Sequence, residues 1–575
     1  MKYSTIASAQ TIILHCKAKG IKNIVISPGS RNAPLTISFT ENTFFNCYSI
    51  VDERCAAFFA LGMAQQLKEP VVVVCTSGSA LLNYYPAIAE AYYSGIPLVV
   101  ISADRPTYKV DVGDGQTIRQ TNVFNNHIGY SANLKQDANH ASEVYNAYEL
   151  NIDVQDNIQT YNDAELNTAL NTAIHLKLPV HINIPFEEPL YNKVSKPSVV
   201  PNIIFDKKND RKPNNIEFFK EKWSSAERII VLVGVNEPNA IDQELLDALG
   251  VDSRIIVFTE TTSNLHHPNF FPSIDSILAP IEKSNNKEEL FKNLQPEILV
   301  TFGGLVVSKK IKAFLRSYKP SEHWHIDKLK ALDTYFSLSN HIKEKPSFFL
   351  KSIVNSKNNK SNYFDFWNAK RNQYQLKRKE YLCKIPFSDF KVFDIILKSI
   401  PNNYQLQLAN SSTIRYTQLF NNNKTIPVFC NRGTSGIDGS VSTAVGASIY
   451  YSAPTLLITG DLSFFYDSNG LWNNYLRKDF KIIVVNNGGG GIFRILPGKE
   501  DSKMFNTFFE TQNNLSAKEI CKLYNLEYLQ ADVEYLLEEQ LKKMYKITEK
   551  PAILEIKTPR LINDKILIDY FDFIS

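Results

Sequence analysis

Short, continuous apolar runs rich in β-branched residues punctuate this chain, and they restrict its fold more than any other feature. VVVVC at 71–75, PLVVIS at 97–102 and VHINIP at 180–185 fall in a first group, together with residues 22–27. RIIVLVG at 228–234, RIIVFT at 254–259 and EILVTFG at 297–303 form a second group. PTLLITG at 454–460, KIIVVNN at 481–487 and AILEIK at 552–557 form a third. A strand that is apolar on both faces must be covered on both faces, which is the condition of a parallel sheet flanked by helices. Helix-length amphipathic stretches lie between the runs, so the expected class is α/β.

Polar segments rich in Lys, Asn and Pro separate the groups at about 191–215 and 355–362 and read as linkers. The expectation is three doubly wound parallel-sheet domains at 1–190, 216–354 and 363–575. A chain of 575 residues is too long for one ordinary core, which agrees with such a division.

Composition excludes several functions. Charged residues make up 21% of the chain and the net charge is +4, from mixed signs with no basic block, so nucleic acid is not an expected partner. No apolar run approaches the roughly 20 residues of a membrane span. The N-terminus reads as an amphipathic helix leading into a strand, with no signal-peptide pattern. Seven scattered cysteines form no CxxC pair, as expected of free thiols in a reducing cytoplasm.

In sheets of this kind ligands bind beyond the C-terminal strand ends. In the third group Gly460-Asp461-Leu462-Ser463 follows one strand, and Asn486-Asn487-Gly488-Gly489 closes the next. A carboxylate, a carboxamide and a backbone carbonyl at such ends supply hard oxygens to one Mg²⁺, with diphosphate oxygens completing its shell. Glycines allow the backbone to approach phosphates, and a helix opening at Asp461 would add its dipole.

The stretch GDLSFFYDSNGLWNNYLRKDFKIIVVNNGG resembles the signature of the thiamine-diphosphate enzymes, from which Leu462 departs where glycine is usual. The resemblance implies thiamine diphosphate as cofactor, with Asp461, Asn487 and the Gly489 carbonyl holding Mg²⁺ or Mn²⁺. It makes the three domains pyrimidine-binding, central and diphosphate-binding. It also requires a carboxylate beside N1′ of the aminopyrimidine. Glu53, in VDERCAAFF after a short strand, matches that position, although a first-turn Glu is also what a helix dipole favours. Because the family builds each site from two subunits, a homodimer or homotetramer is implied.

Arginines narrow the choice. SPGSR follows the first strand, ADRP follows PLVVIS, GDGQ comes soon after, and Asn410-Ser411 with Arg415 precedes NRGTSGIDG at 431–439. Guanidinium forks at strand ends suit polyanionic substrates. Together with PVHINIPFEEPL and IFRILP, these motifs resemble the SEPHCHC synthase family of menaquinone biosynthesis along nearly the whole chain, most weakly in the centre.

This second resemblance implies decarboxylation of 2-oxoglutarate and 1,4-addition of the four-carbon remainder to isochorismate. By motif position, Ser30, Arg31, Arg105, Gln116, Ser411 and Arg415 contact isochorismate or the adduct, and Arg432 joins Ser411 and Arg415 on the succinyl carboxylates. Ile492, Phe493 and Leu496 form an apolar wall, and Ile437 wedges the cofactor. Asn410, Gly460, Leu462 and Ser463 line the cofactor site beside Ser411, Asp461 and Ile492. Lys309 or its neighbour Lys310 is the central-domain contact.

Two other readings remain open at this level: a different thiamine lyase, such as an acetolactate synthase, and a catalytically dead binding module. The first has no need of this arginine set, and the second no reason to keep Glu53, Asp461 and Asn487 together. No histidine follows His341, so the third domain offers no imidazole acid or base.

Overall fold

The computed structural model describes residues 2–150, 152–205, 215–354, 360–495 and 501–575. Leu496 and much of both expected linkers (206–214 and 355–359) lie outside the described residues. All ten apolar runs form strands, and they belong to three all-parallel sheets.

The first sheet runs, in spatial order, Asn46–Ser49, Asn23–Ile26, Val71–Cys75, Leu98–Asp104, Val180–Pro185, Tyr130–Asn133. The second runs Ile255–Phe258, Ile229–Val233, Ile298–Phe302, Glu322–Ile326, Asn340–Ile342. The third runs Val428–Cys430, Gln405–Leu408, Thr455–Gly460, Lys481–Asn486, Ala552–Lys557, Glu527–Ala531. Counted along the chain within each sheet, the first and third share the order 2-1-3-4-6-5, and the second follows 2-1-3-4-5. Every sheet therefore reverses its winding between its first and third strands. That is the switch point where an α/β sheet opens a crevice for ligands.

The chain divides into two compact units. One is Met1–Asn209 with Gly433–Ser452 and Tyr466–Phe480; the other is Asp210–Arg432 with Ala453–Phe465 and Lys481–Ser575. In the first unit, Val71–Cys75 is buried along its whole length, and helix Glu53–Leu67 buries ten of its residues. That helix lies against helix Ser440–Ile449 at backbone distance. A Cβ on Gly62 would stand 2.0 Å from the Thr443 carbonyl oxygen, and one on Gly446 2.0 Å from that of Phe59, so neither position admits a side chain.

Residues 191–205, which read as linker, are laid along this unit. Lys193–Val194 pairs with Tyr3–Ser4, Ser198 donates its N–H to Gln10, and Asn202 donates to Asp163. In the second unit, the two sheets carry separate buried apolar strands, Ile229–Val233 and Lys481–Asn486 among them. Among the described residues no helix is long and apolar enough to cross a membrane.

Candidate active site

In the first unit, the residues expected to act follow the C-terminal ends of three strands, Asn23–Ile26, Asn46–Ser49 and Leu98–Asp104. Glu53 opens its helix, whose N-cap is Asp52, accepting the Cys55 N–H at 3.2 Å. Arg54 turns away to the Tyr466 carbonyl and towards Asp467, and Asn469 donates to Asp52. Among the described residues no donor is hydrogen-bonded to the Glu53 carboxylate. It borders an open pocket of about 520 Å³ lined by Pro28, Val51, Asp52, Glu53, Arg54, Asn83 and Trp472. A half-buried carboxylate with neighbours committed elsewhere is available to an incoming N–H donor.

Ser30 is exposed, whereas Arg31 is buried and donates to the Phe186 carbonyl at 3.0 Å and to Glu188 at 3.3 Å. Arg105 donates to the carbonyl of Gly115 at 3.0 Å, which draws Arg105 and the exposed Gln116 into one loop. That loop has a buried anchor the motif reading did not assign. Gln120 accepts the Gly78 N–H at 2.8 Å and donates to Asn183 at 2.8 Å. Ile437 is 37% exposed, so its apolar side chain is presented to solvent in this unit.

In the second unit, Asn410 bridges two elements. Its Nδ2 donates to the Asn431 carbonyl at 2.7 Å, and its Oδ1 accepts from Arg432 at 2.7 Å. Ser411 has φ +67° and leads into helix Ser412–Thr417, which carries Arg415. Among the described residues no hydrogen bond or ion pair engages the Arg415 guanidinium, and its Nε is buried. Burial lowers its pKa; Asp275 and Glu260 oppose the shift and neighbouring Arg432 adds to it. Asn410, Ser411, Arg415 and Arg432 thus come together as a cationic cluster.

The central strands add to this cluster. Glu260, 4% exposed, accepts the Val307 N–H at 2.8 Å and the Ser308 N–H at 2.9 Å, fixing the start of helix Lys309–Ser317. Burial raises its pKa to about 7 against those bonds and Arg432. Lys309 is exposed at the helix start, while Lys310 is paired with Glu282. Lys312, one turn on, has its pKa lowered by burial, with Glu260 opposing and Arg432 and Arg415 reinforcing. The sequence carried no signal for Glu260 or Lys312, because their neighbours are remote in the chain.

Two of the expected metal ligands meet, the Gly489 N–H being hydrogen-bonded to the Asp461 carboxylate. Asp461 is 3% exposed; burial raises its pKa to about 6, and hydrogen bonds from the Leu462 and Gly489 backbones and from Asn513 counteract that. Gly489 has φ +150°, and a Cβ there would meet the Glu510 carbonyl oxygen at 2.7 Å, so the chain needs glycine at this turn. Asn487 donates its Nδ2 to Asp389 at 2.9 Å, and among the described residues no donor reaches its Oδ1. A buried carboxylate, an outward carboxamide oxygen and a constrained backbone carbonyl fit a small divalent cation. Helix Asp461–Tyr466 has only six residues, so its dipole adds little to the expected phosphate site. Gly460 and Leu462 flank Asp461, half-buried, and Ser463 is buried. Ile492 and Phe493 lie half-buried on the turn Gly491–Ile495, locked by buried Arg494, which donates to Glu510 at 2.6 Å.

Two family models match the chain. Residues 7–128 match the N-terminal TPP binding domain of the thiamine pyrophosphate enzymes, and residues 410–556 match their C-terminal TPP binding domain. The fold is therefore that of a thiamine pyrophosphate enzyme. Over the whole chain and the whole relative, identity is 54% to the 2-succinyl-5-enolpyruvyl-6-hydroxy-3-cyclohexene-1-carboxylate synthase of Christiangramia forsetii. It is 53% to that of Flavobacterium johnsoniae, covering 99% of each chain, and 37% to that of Porphyromonas gingivalis, covering 97% of this chain and 95% of the relative. The chain belongs to this synthase family.

Proposed function

We propose that the chain makes the product its relatives are named for, decarboxylating 2-oxoglutarate and adding the four remaining carbons to isochorismate with loss of CO₂. This would be a cytoplasmic step of menaquinone biosynthesis. The observation that carries the reading is the unengaged Arg415 guanidinium beside Arg432, a two-arginine receptor that a dicarboxylic oxo acid satisfies and pyruvate does not.

When bound, thiamine diphosphate supplies the nucleophilic carbon and the electron sink that decarboxylation of a 2-oxo acid requires. Asp461, Asn487 and the Gly489 carbonyl would hold Mg²⁺ or Mn²⁺ against its diphosphate, with Asn410, Ser411, Gly460, Leu462 and Ser463 alongside. Glu53 would hold a proton at N1′ of its aminopyrimidine, and Ile437 would pack against the cofactor.

Arg415, Arg432, Ser411 and the exposed Lys309 bind the oxo-acid carboxylates, and Lys310 is spent on Glu282. Ser30, Arg31, Arg105 and Gln116 receive isochorismate. Arg31 does so by exchanging Glu188, a partner 68% exposed, for a substrate carboxylate. Ile492, Phe493 and Leu496 keep water from the reacting carbon. The assembly is a homodimer or homotetramer, each cofactor served by two subunits.

The reading is tested by the mass balance of a complete mixture. The product should equal the sum of the two substrates less one CO₂. Release of CO₂ without consumption of isochorismate would overturn the proposed acceptor.

A further inference from the structure

The Asn487 carboxamide has a defined orientation, and Asp389 defines it. Asn487 Nδ2 donates to Asp389 Oδ2 at 2.9 Å. A carboxylate oxygen accepts and an amide nitrogen only donates, so Oδ1 of Asn487 is turned to the opposite side. Asp389 is itself immobilised. It is 2% exposed, its Oδ1 accepts the Thr558 hydroxyl at 2.6 Å, and its N–H donates to Asn563 Oδ1 at 2.9 Å. It is the first residue of helix Asp389–Ser399, which packs in the second unit with the segment carrying Thr558 and Asn563. An amide without this latch would present either its oxygen or its NH₂ group, and only the oxygen can ligate a cation.

We propose that Asp389 is a positioning residue for the divalent cation, latching Asn487 so that its carbonyl oxygen faces the ion. The inference rests on Asn487 being a metal ligand, and it assigns Asp389 no contact with the metal. It explains why an acidic residue is buried beside a site that needs neutral Asn487 on its rim. The ligand set and its support come from residues 98 positions apart in the chain.

The test is Mn²⁺ binding to the full chain in the presence of thiamine diphosphate, read from the electron paramagnetic resonance of free Mn²⁺. Asp389→Asn keeps an acceptor oxygen for Asn487, and the Thr558 hydroxyl can turn to accept from the new amide, so affinity stays close to that of the unmodified chain. Asp389→Leu keeps the branched outline of the side chain and removes the acceptor, and Mn²⁺ affinity falls about 10–100-fold in protein that remains folded by circular dichroism. Equal affinity in folded Asp389→Leu overturns the proposal. Asn487→Leu separates the two layers: if it too binds Mn²⁺ normally, the metal-site reading fails; if it alone loses binding, only the latch fails.

Should Asp389→Leu not fold, Asn487→Asp and the double variant Asn487→Asp, Asp389→Asn complete a thermodynamic cycle with the single Asp389→Asn change. A latch predicts coupling of about tenfold or more, because the change at position 389 relieves a contact between two carboxylates. Additive effects overturn it.

Discussion

The Glu90 carboxylate and the Gly433 N–H meet at 2.7 Å although 343 residues separate them in the chain. Glu90 is 1% exposed and takes three further donors: the Thr434 N–H at 2.7 Å, the Thr434 hydroxyl at 2.9 Å and the Ser94 hydroxyl at 2.7 Å. One buried anion thus anchors the start of the GTSGIDG loop, directly after Arg432.

Glu90→Gln keeps the size of that side chain but turns an NH₂ group towards donors, leaving at least one buried group unpaired. The expected cost is about 2–4 kcal/mol of stability. Urea unfolding measures it; a loss below about 0.5 kcal/mol, the range of an ordinary surface change, would mean that the loop is held elsewhere.

Glu53→Gln removes the anion at N1′ while keeping a hydrogen-bonding side chain of the same length. Turnover should fall by about 10²-fold or more, as for loss of a general acid–base group. Thiamine diphosphate binding, followed by intrinsic fluorescence, should change far less. Unchanged turnover would remove Glu53 from the chemistry.

Arg415→Met deletes one guanidinium from this cationic cluster. Loss of a charge-assisted pair of about 1.5–3 kcal/mol should raise the KM for 2-oxoglutarate about 10–150-fold. Arg415→Lys should restore only part of this, since a point charge cannot reproduce a planar fork. A Met variant with an unchanged KM for 2-oxoglutarate would contradict the carboxylate role.

His181 provides a pH signature. It is fully buried, its Nε2 is 2.8 Å from the Ser102 hydroxyl, and burial lowers its pKa from 6.5 to about 3. Between those values the unfolded chain takes up a proton that the folded chain does not. This residue's contribution therefore disappears from stability as pH falls below 6.5, at about 1.4 kcal/mol per pH unit. His181→Gln should be less stable than the unmodified chain at pH 7, and that deficit should shrink by about 2 kcal/mol at pH 5. Taking the difference between the two proteins cancels groups of opposite sign, such as Glu260, whose raised pKa favours the folded state at lower pH. A deficit that does not change with pH would show that His181 protonates within the fold.

The apolar runs made ten strands legible because burial on both faces leaves a local record in sequence. The missed strands lack that record. Gln405–Leu408 reads QLQL yet is buried, its glutamines meeting Thr455 and one another. Glu322–Ile326 carries two histidines, which bond Thr301, and Tyr130–Asn133 and Glu527–Ala531 are edge strands.

The site divides along the same line. Glu53, Asp461 and Asn487 stand in recognisable strand-end motifs, whereas Asp389, Glu260, Glu90 and Gln120 resemble ordinary acidic or polar residues until the fold supplies their partners. Arg31 shows the converse: its motif is plain, but the side chain is engaged with Phe186 and Glu188.

The most direct measurement is the ultraviolet absorbance of the isochorismate diene in a mixture of the chain, thiamine diphosphate, Mg²⁺ and 2-oxoglutarate. The diene signal should disappear only when every component is present, and persist when pyruvate replaces 2-oxoglutarate. A signal that persists in the complete mixture would contradict the proposed addition.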